Sequence, residues 1–209
     1  MREQNHEPVI LKEAPGTLDG MFDYLNLQEG LGRHRELLAQ AARENISHEE
    51  FLKRLLSQEV SAKFTRQVDS RLAQAKFPFI KTLEQYDWNH PTAIPKAKIL
   101  AALELNFLSN REGFVFISDH GLGKTHLAIA IGHKAVQAGV RTYFTKAIEM
   151  VNHLSAAQAD HSTEKAMRVY TRPALLIIDE VGRLSIDQKQ GEHIFNVIDA
   201  RYERGSTIL

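Results

Sequence analysis

Residues 118–126 read Ser-Asp-His-Gly-Leu-Gly-Lys-Thr-His, and the reading of that stretch decides the fold. Gly123, Lys124 and Thr125 fall on the end of the spacing G-x-x-x-x-G-K-[ST], in which a glycine-rich loop cradles phosphate groups. The spacing puts its first glycine at 118. Ser118 stands there instead, followed by Asp119 and His120. A glycine-rich turn that merely opens a helix leaves similar letters, so the flanks decide. Upstream, "GFVFIS" (113–118) is a short apolar, β-rich run. Downstream, helical spacing runs from Lys124 to about Ala138, and Gly139 takes the position just past a helix that glycine favours. Strand, loop, helix is the context a phosphate loop requires.

In that context, successive backbone N–H groups and the helix N-terminus form an anion cradle. Gly121 and Gly123 let the backbone approach a phosphate with no Cβ between. The expected lining is Ser118, Asp119, His120, Gly121, Leu122, Gly123, Lys124, Thr125 and His126. Lys124 is placed to neutralise the β- and γ-phosphates, and Thr125 to give its hydroxyl to Mg2+. The expected ligand is therefore ATP with Mg2+. Ser118 is strained if its φ is positive. Asp119 puts a negative charge near the phosphates and weakens binding unless it points away.

Working outward, strand–helix alternation continues. "RTYFT" (141–145) reads as a strand, 147–170 as helix, "ALLIIDE" (174–180) as a fully apolar strand, 187–204 as helix, and "STIL" (206–209) as the start of another strand. Fully apolar strands separated by helices imply an α/β fold with a parallel sheet covered on both faces. Asp179 and Glu180 end the apolar strand, and ligands of parallel sheets bind at that end. Asp179 is placed with Thr125 as a Mg2+ ligand. Glu180 is placed to polarise an attacking water, so Glu180 and Lys124 are the candidate catalytic residues. Acidic residues often end strands at a surface for no chemical reason; here a phosphate loop precedes them by one strand–helix unit.

Upstream of the loop, residues 1–20 carry Pro8, Pro15, Gly16 and Gly20 and read as a loose leader. Residues 21–76 read as a small helical domain, and 77–209 as the phosphate-loop domain. Helical spacing spans 21–43, interrupted by Gly30 and Gly32. Ser47 and Glu50 form a capping box that opens a long helix to about Ala75. Leu52, Leu56, Val60, Phe64, Val68 and Leu72 recur along it in steps of four, a face for core packing or for a partner helix. Lys53, Arg54, Lys63, Arg66, Arg71 and Lys76 give the same helix a basic excess. On charge alone, that is an ordinary solvated face. Phe77, Phe79 and Trp88 suggest packing between domains, and residues 96–108 return to helical spacing.

Composition narrows the classes. The 209 residues hold 26 basic and 26 acidic side chains, so any case for nucleic acid rests on a local patch. There is no cysteine, which excludes disulfides, thiolate metal sites and a cysteine nucleophile. The histidines show no metal-ligand spacing. The longest aliphatic run, Ala174 to Ile178, falls far short of the roughly 20 residues of a membrane helix. A cytoplasmic protein with no membrane contact is the expectation.

The stretches "GLGKTHLAIAIGHKAVQAGVRTYFTKAIEMVNHL", "RPALLIIDEVGRLSIDQKQGEHIFNVIDARYERGSTIL" and "AKFPFIKTLEQYDW" resemble the IstB-like ATP-binding helpers of insertion-sequence transposition. Those are in turn similar to DnaC-type helicase loaders among the AAA+ ATPases. The resemblance covers about 25–209. It implies a helical N-terminal domain before an AAA+ domain, ATP-dependent assembly on DNA, activation of a partner transposase, and homo-oligomers in full-length relatives. It turns the basic helix face toward DNA and leaves Arg201 and Arg204 as candidates for a DNA-facing or subunit-facing surface. It also implies that the fourth strand lies between the first and third. Family members continue past "STIL" with a polar sensor residue, a further strand and an arginine that reaches a neighbour's nucleotide. The expectation is a C-terminally truncated domain with weak or no hydrolysis. Two rivals stand beside the transposition helper: a DnaC-like loader of a replicative helicase, and an interaction module or remnant that no longer turns nucleotide over.

Overall fold

The computed structural model describes residues 15–88, 95–183 and 188–209. Most of the expected leader lies outside them. The chain divides into two compact units, one ending at Arg66 and one running from Gln67 to Leu209, and the division falls inside a helix.

The first unit holds α1 (Leu18–Tyr24), α2 (Gln28–Glu44) and most of α3 (His48–Ala75). Thr17 caps α1 by accepting the N–H of Gly20 at 3.1 Å. The helical pattern expected over 21–43 breaks at 25–27, not at its glycines, which lie inside α2. Gly30 serves packing: a Cβ there would stand 2.8 Å from the ring of Phe22. Ser47 opens α3 as expected, its hydroxyl accepting the Glu50 N–H at 3.2 Å, while the Glu50 carboxylate takes Arg54 at 2.8 Å.

Phe22, Leu37 and Leu55 form this unit's core, with Leu27, Leu31 and Phe51 against them. Helix α3 thus turns its 51–55–59 row inward. The four-spaced row lies outside that core: Leu52, Leu56, Val60 and Phe64 are 50% to 65% exposed. The inward row carries a charge. Glu59 is buried and accepts the N–H groups of Glu29 at 2.9 Å and Gly30 at 3.3 Å, capping α2 where Leu27 offers no side chain to do so. An anion at a helix N-terminus is favoured by the helix dipole. Arg66 completes the site at 3.3 Å from Glu59, and Arg54 bonds Glu44 at 3.0 Å. Two of the five lysines and arginines of α3 are therefore engaged internally.

The second unit is built on β1 (Thr142–Lys146), β2 (Leu175–Asp179) and β3 (Ser206–Ile208), all parallel in the order β1-β2-β3. Residues 114–116 run beside the far edge of β3. Phe114 and Phe116 donate to Thr207 and Leu209 at 3.0 and 2.8 Å, and Leu209 donates to Phe114 at 2.9 Å. The fourth expected strand thus lies between the first and third. The first is reduced to one bridge, Phe114 to Ile208. Gly113 permits the close approach, since a Cβ would meet the Thr207 carbonyl at 2.6 Å.

Alternation along β2 divides the core. Leu176 and Ile178 face α7 (Ala147–Ala159), α8 (Thr163–Thr171) and α9 (Gln188–Arg201), packing on Met150, Leu154 and Val197. Leu175 and Ile177 face α4 (Lys96–Leu103), α5 (Asn106–Asn110) and α6 (Lys124–Gln137), packing on Ile129, Ile131 and Phe107. Both faces are covered, as a fully apolar strand requires. The helix expected over 147–170 is two helices, broken where His161 takes a φ of 55°. Phe77 packs on Phe144, and Trp88 on Tyr86, both partly buried against this unit's own core.

Arg201 is not on a surface. It is 2% exposed. Its guanidinium donates to the carbonyls of Tyr170 and Pro173 at 2.8 Å, Ala174 at 3.3 Å and Ser206, and to the Thr207 hydroxyl at 3.0 Å. It ties the end of α9 to the approach of β2 and to β3. Burial lowers its pKa to about 10, so it remains a cation at neutral pH. Among the described residues no helix is long and apolar enough to cross a membrane.

Candidate nucleotide site

A cleft of about 620 Å³ lies at the C-terminal end of the sheet. Its walls include the loop from Ser118 to Thr125 and the end of β2 from Asp179 to Gly182. Two residues of the loop are left-handed, Gly121 at φ 80° and Gly123 at φ 81°. Ser118 is not, so it stands in the usual glycine position without that strain. The loop delivers the chain into α6 at Lys124, and the start of that helix, Lys124 and Thr125, lines the cleft.

The Lys124 ammonium is gathered into the loop, 2.7 Å from the carbonyls of Ser118 and Asp119 and 3.2 Å from the Ser118 hydroxyl. The Thr125 hydroxyl donates to Asp179 at 2.8 Å. Asp179 also accepts the N–H of Glu180 at 2.9 Å, which fixes its carboxylate. A hydroxyl and a carboxylate so close, beside an anion cradle, fit Mg2+: that ion takes oxygen ligands, commonly one carboxylate together with phosphate oxygens. Thr125 and Asp179 are the residues that would hold it.

Glu180 is left-handed, with φ at 60°, a conformation that costs a non-glycine residue energy and is concentrated at functional sites. Its carboxylate lies 3.2 Å from the ammonium of Lys146. Lys146 ends β1 in register with Asp179. Sequence reasoning passed over Lys146, although the strand-end rule that singles out Asp179 applies equally to it.

The loop is braced from below. Tyr86 donates its hydroxyl to the Leu122 carbonyl at 3.1 Å. Its ring lies under Gly123, where a Cβ would meet it at 2.6 Å. Burial, and secondarily Asp87, raises the Tyr86 pKa, so the hydroxyl keeps its proton and remains a donor. His126 is turned the same way: its Nε2 lies 2.9 Å from the Thr82 carbonyl, and its ring packs edge-on against Tyr86. The imidazole of His126 thus sits on the loop's supports rather than at its mouth. His120 lines the cleft, and Asp119 meets Lys124 through its carbonyl. Among the described residues, no cluster of three or more histidine, aspartate or glutamate side chains is disposed to hold a metal.

The sequence matches the family model of the IstB-like ATP binding protein over residues 22–209. A protein of Geobacillus stearothermophilus, named for ATP binding in the insertion sequence IS5376, is 38% identical over 169 residues, covering 81% of this chain and 67% of that one. The corresponding protein of IS21 in Pseudomonas aeruginosa is 36% identical over 182 residues, covering 87% and 69%. Among solved structures, AMPPCP-bound DnaA from Aquifex aeolicus aligns with 61% of this chain at a TM-score of 0.53 and 23% identity. The chain spans 40% of that structure's length. The DnaC helicase loader aligns at a TM-score of 0.51 and 24% identity, over 61% of this chain and 74% of that one. Both likenesses concern the fold alone, a parallel sheet covered by helices. With the loop, the strand-end carboxylates and the strand order agreeing with the sequence match, the chain belongs to the family of IstB-like ATP binding proteins.

Proposed function

We propose that this chain binds ATP with Mg2+ in the loop cleft and serves insertion-sequence transposition as an accessory protein that binds DNA and activates a partner transposase. The observation that carries the nucleotide reading is the 2.8 Å contact of Thr125 with Asp179 beside a loop whose two left-handed residues are both glycine. The helper reading is supported by family membership and by the insertion sequences its relatives are named for.

Each residue then has a task. Backbone N–H groups of the loop and of the first turn of α6 bind the phosphate oxygens. Lys124 exchanges its three loop acceptors for the β- and γ-phosphates, a local rotation of one flexible side chain. Thr125 and Asp179 would hold Mg2+, which would supply neutralisation of phosphate charge. Glu180 orients water on the γ-phosphate side. One observation favours a slow, nucleotide-holding role over rapid turnover: the Glu180 carboxylate is engaged by Lys146.

The test is capture of a transposase from an insertion sequence of this family. Tagged chain is mixed with that transposase and a DNA duplex in ATP, in ADP and without nucleotide. Capture in ATP alone, abolished by Lys124→Ala, is the expected result. Equal capture in all three conditions contradicts the nucleotide-dependent helper.

A further inference from the structure

At the other end of the sheet lies a second cleft, of about 200 Å³, whose lining includes Arg71, Arg141, Arg168 and Arg172, with Gln74 and Tyr143 between them. Arg141 immediately precedes β1, and Arg172 lies between α8 and β2, so this cleft sits where the strands begin. The nucleotide cleft sits where they end. At about 3.3 Å per residue, strands of this length separate the two by roughly 15 Å.

The charges there are largely uncompensated. Arg168 pairs with Glu164 along α8. Among the described residues, no side-chain hydrogen bond or ion pair engages Arg71, Arg141 or Arg172. The chain's formal net charge is zero, so three such guanidinium groups in one cleft are a local concentration, not a share of a general excess. Like charges repel, and the fold holds these together through the backbone. The Arg141 carbonyl accepts the Leu175 N–H at 3.1 Å, and the Arg172 N–H donates to Arg168 at 3.1 Å.

We infer that this arginine cleft binds the phosphodiester backbone of a nucleic-acid strand. Guanidinium forks match phosphate oxygens two at a time and remain charged at any physiological pH. The cleft's volume is ample for a phosphate group. Arg141 and Arg172 are exposed at its rim and reach neighbouring phosphates, which favours a polymer over a single small anion. Such contacts fix a strand's position without reading its sequence. The inference deepens the DNA part of the proposed function, and it assigns DNA to the second unit rather than to the exposed lysines of α3.

The test uses the full chain and fluorescence anisotropy of a labelled duplex of arbitrary sequence, and of its single strand, titrated at several salt concentrations. Arg141→Gln/Arg172→Gln is expected to weaken binding on the order of tenfold near 0.1 M salt and to lower the salt slope by about two. Lys53→Gln/Lys63→Gln is expected to leave both unchanged. Calorimetric binding of Mg·ATP should be the same in all three proteins, which also shows that they fold. An unchanged affinity and slope in the arginine variant would overturn the cleft and leave the DNA reading standing. An equal loss in the lysine variant, or displacement by pyrophosphate as effective as by unlabelled duplex, would also overturn it. No binding by the wild type to either probe would overturn both readings.

Discussion

The hydroxyl of Tyr86 donates to the carbonyl of Leu122 at 3.1 Å, across 36 positions of sequence. That bond, with the ring seated under Gly123, sets the height of the phosphate loop. Tyr86→Phe removes only the bond and should weaken Mg·ATP binding several-fold, with about 1 kcal/mol lost in stability. Gly123→Ala should do more, because its Cβ meets the ring and its φ is left-handed. Calorimetry beside thermal melts separates the two effects.

Removing the Thr125 hydroxyl tests the metal assignment. Thr125→Val keeps the shape of the side chain while breaking its contact with Asp179. The variant should bind ATP in EDTA as the wild type does and lose the gain that Mg2+ brings. A gain that survives intact would place the metal elsewhere.

For Glu180, the neutral isostere is the informative change. Glu180→Gln should hold Mg·ATP within about threefold of wild type, since the residue is assigned to water rather than to phosphate. Phosphate release should fall by an order of magnitude or more, the usual range for loss of a general base. Equal release by both proteins would remove Glu180 from the chemistry.

Arg201 predicts a purely structural phenotype. Its five acceptors are carbonyl and hydroxyl oxygens of α8, β3 and the approach to β2. Arg201→Met removes the guanidinium donor from all five, while the Ala174 carbonyl keeps the Ser206 N–H at 2.9 Å, so the cost is about 3 kcal/mol or more. Urea unfolding should show that loss. A variant as stable as wild type would mean that these oxygens find other partners.

The two faces of α3 give a simple contrast. Leu55→Ala should cost about 2 to 5 kcal/mol because Leu55 is in the core of the first unit. Leu56→Ala, one residue on and half exposed, should cost roughly 0.5 kcal/mol or less.

What could be read from sequence was what rests on local order. The loop and Asp179 each follow from spacing over a few residues and from the strand–helix alternation, whereas the strand order was implied only by the family resemblance. The contacts that brace the site were not legible in the same way. Tyr86 finds Leu122, and Lys146 finds Glu180, only once the sheet exists. The four arginines of the second cleft come from three segments, and are brought together for the same reason. On α3 the period of four marked a real face, but the wrong one for the core. A stripe of apolar residues shows which residues share a side, not which side is covered, and the covered side here includes Glu59 because α2 needs its cap.

The central claim is that the loop around Gly123 holds a nucleotide through Lys124. Titration of Mg·ATP by calorimetry into the chain and into Lys124→Ala tests it most directly, with folding of both checked by circular dichroism. The wild type should bind one nucleotide per chain, and the folded variant none. Wild-type binding that persists undiminished in Lys124→Ala, or a folded wild type that binds no nucleotide, would contradict it.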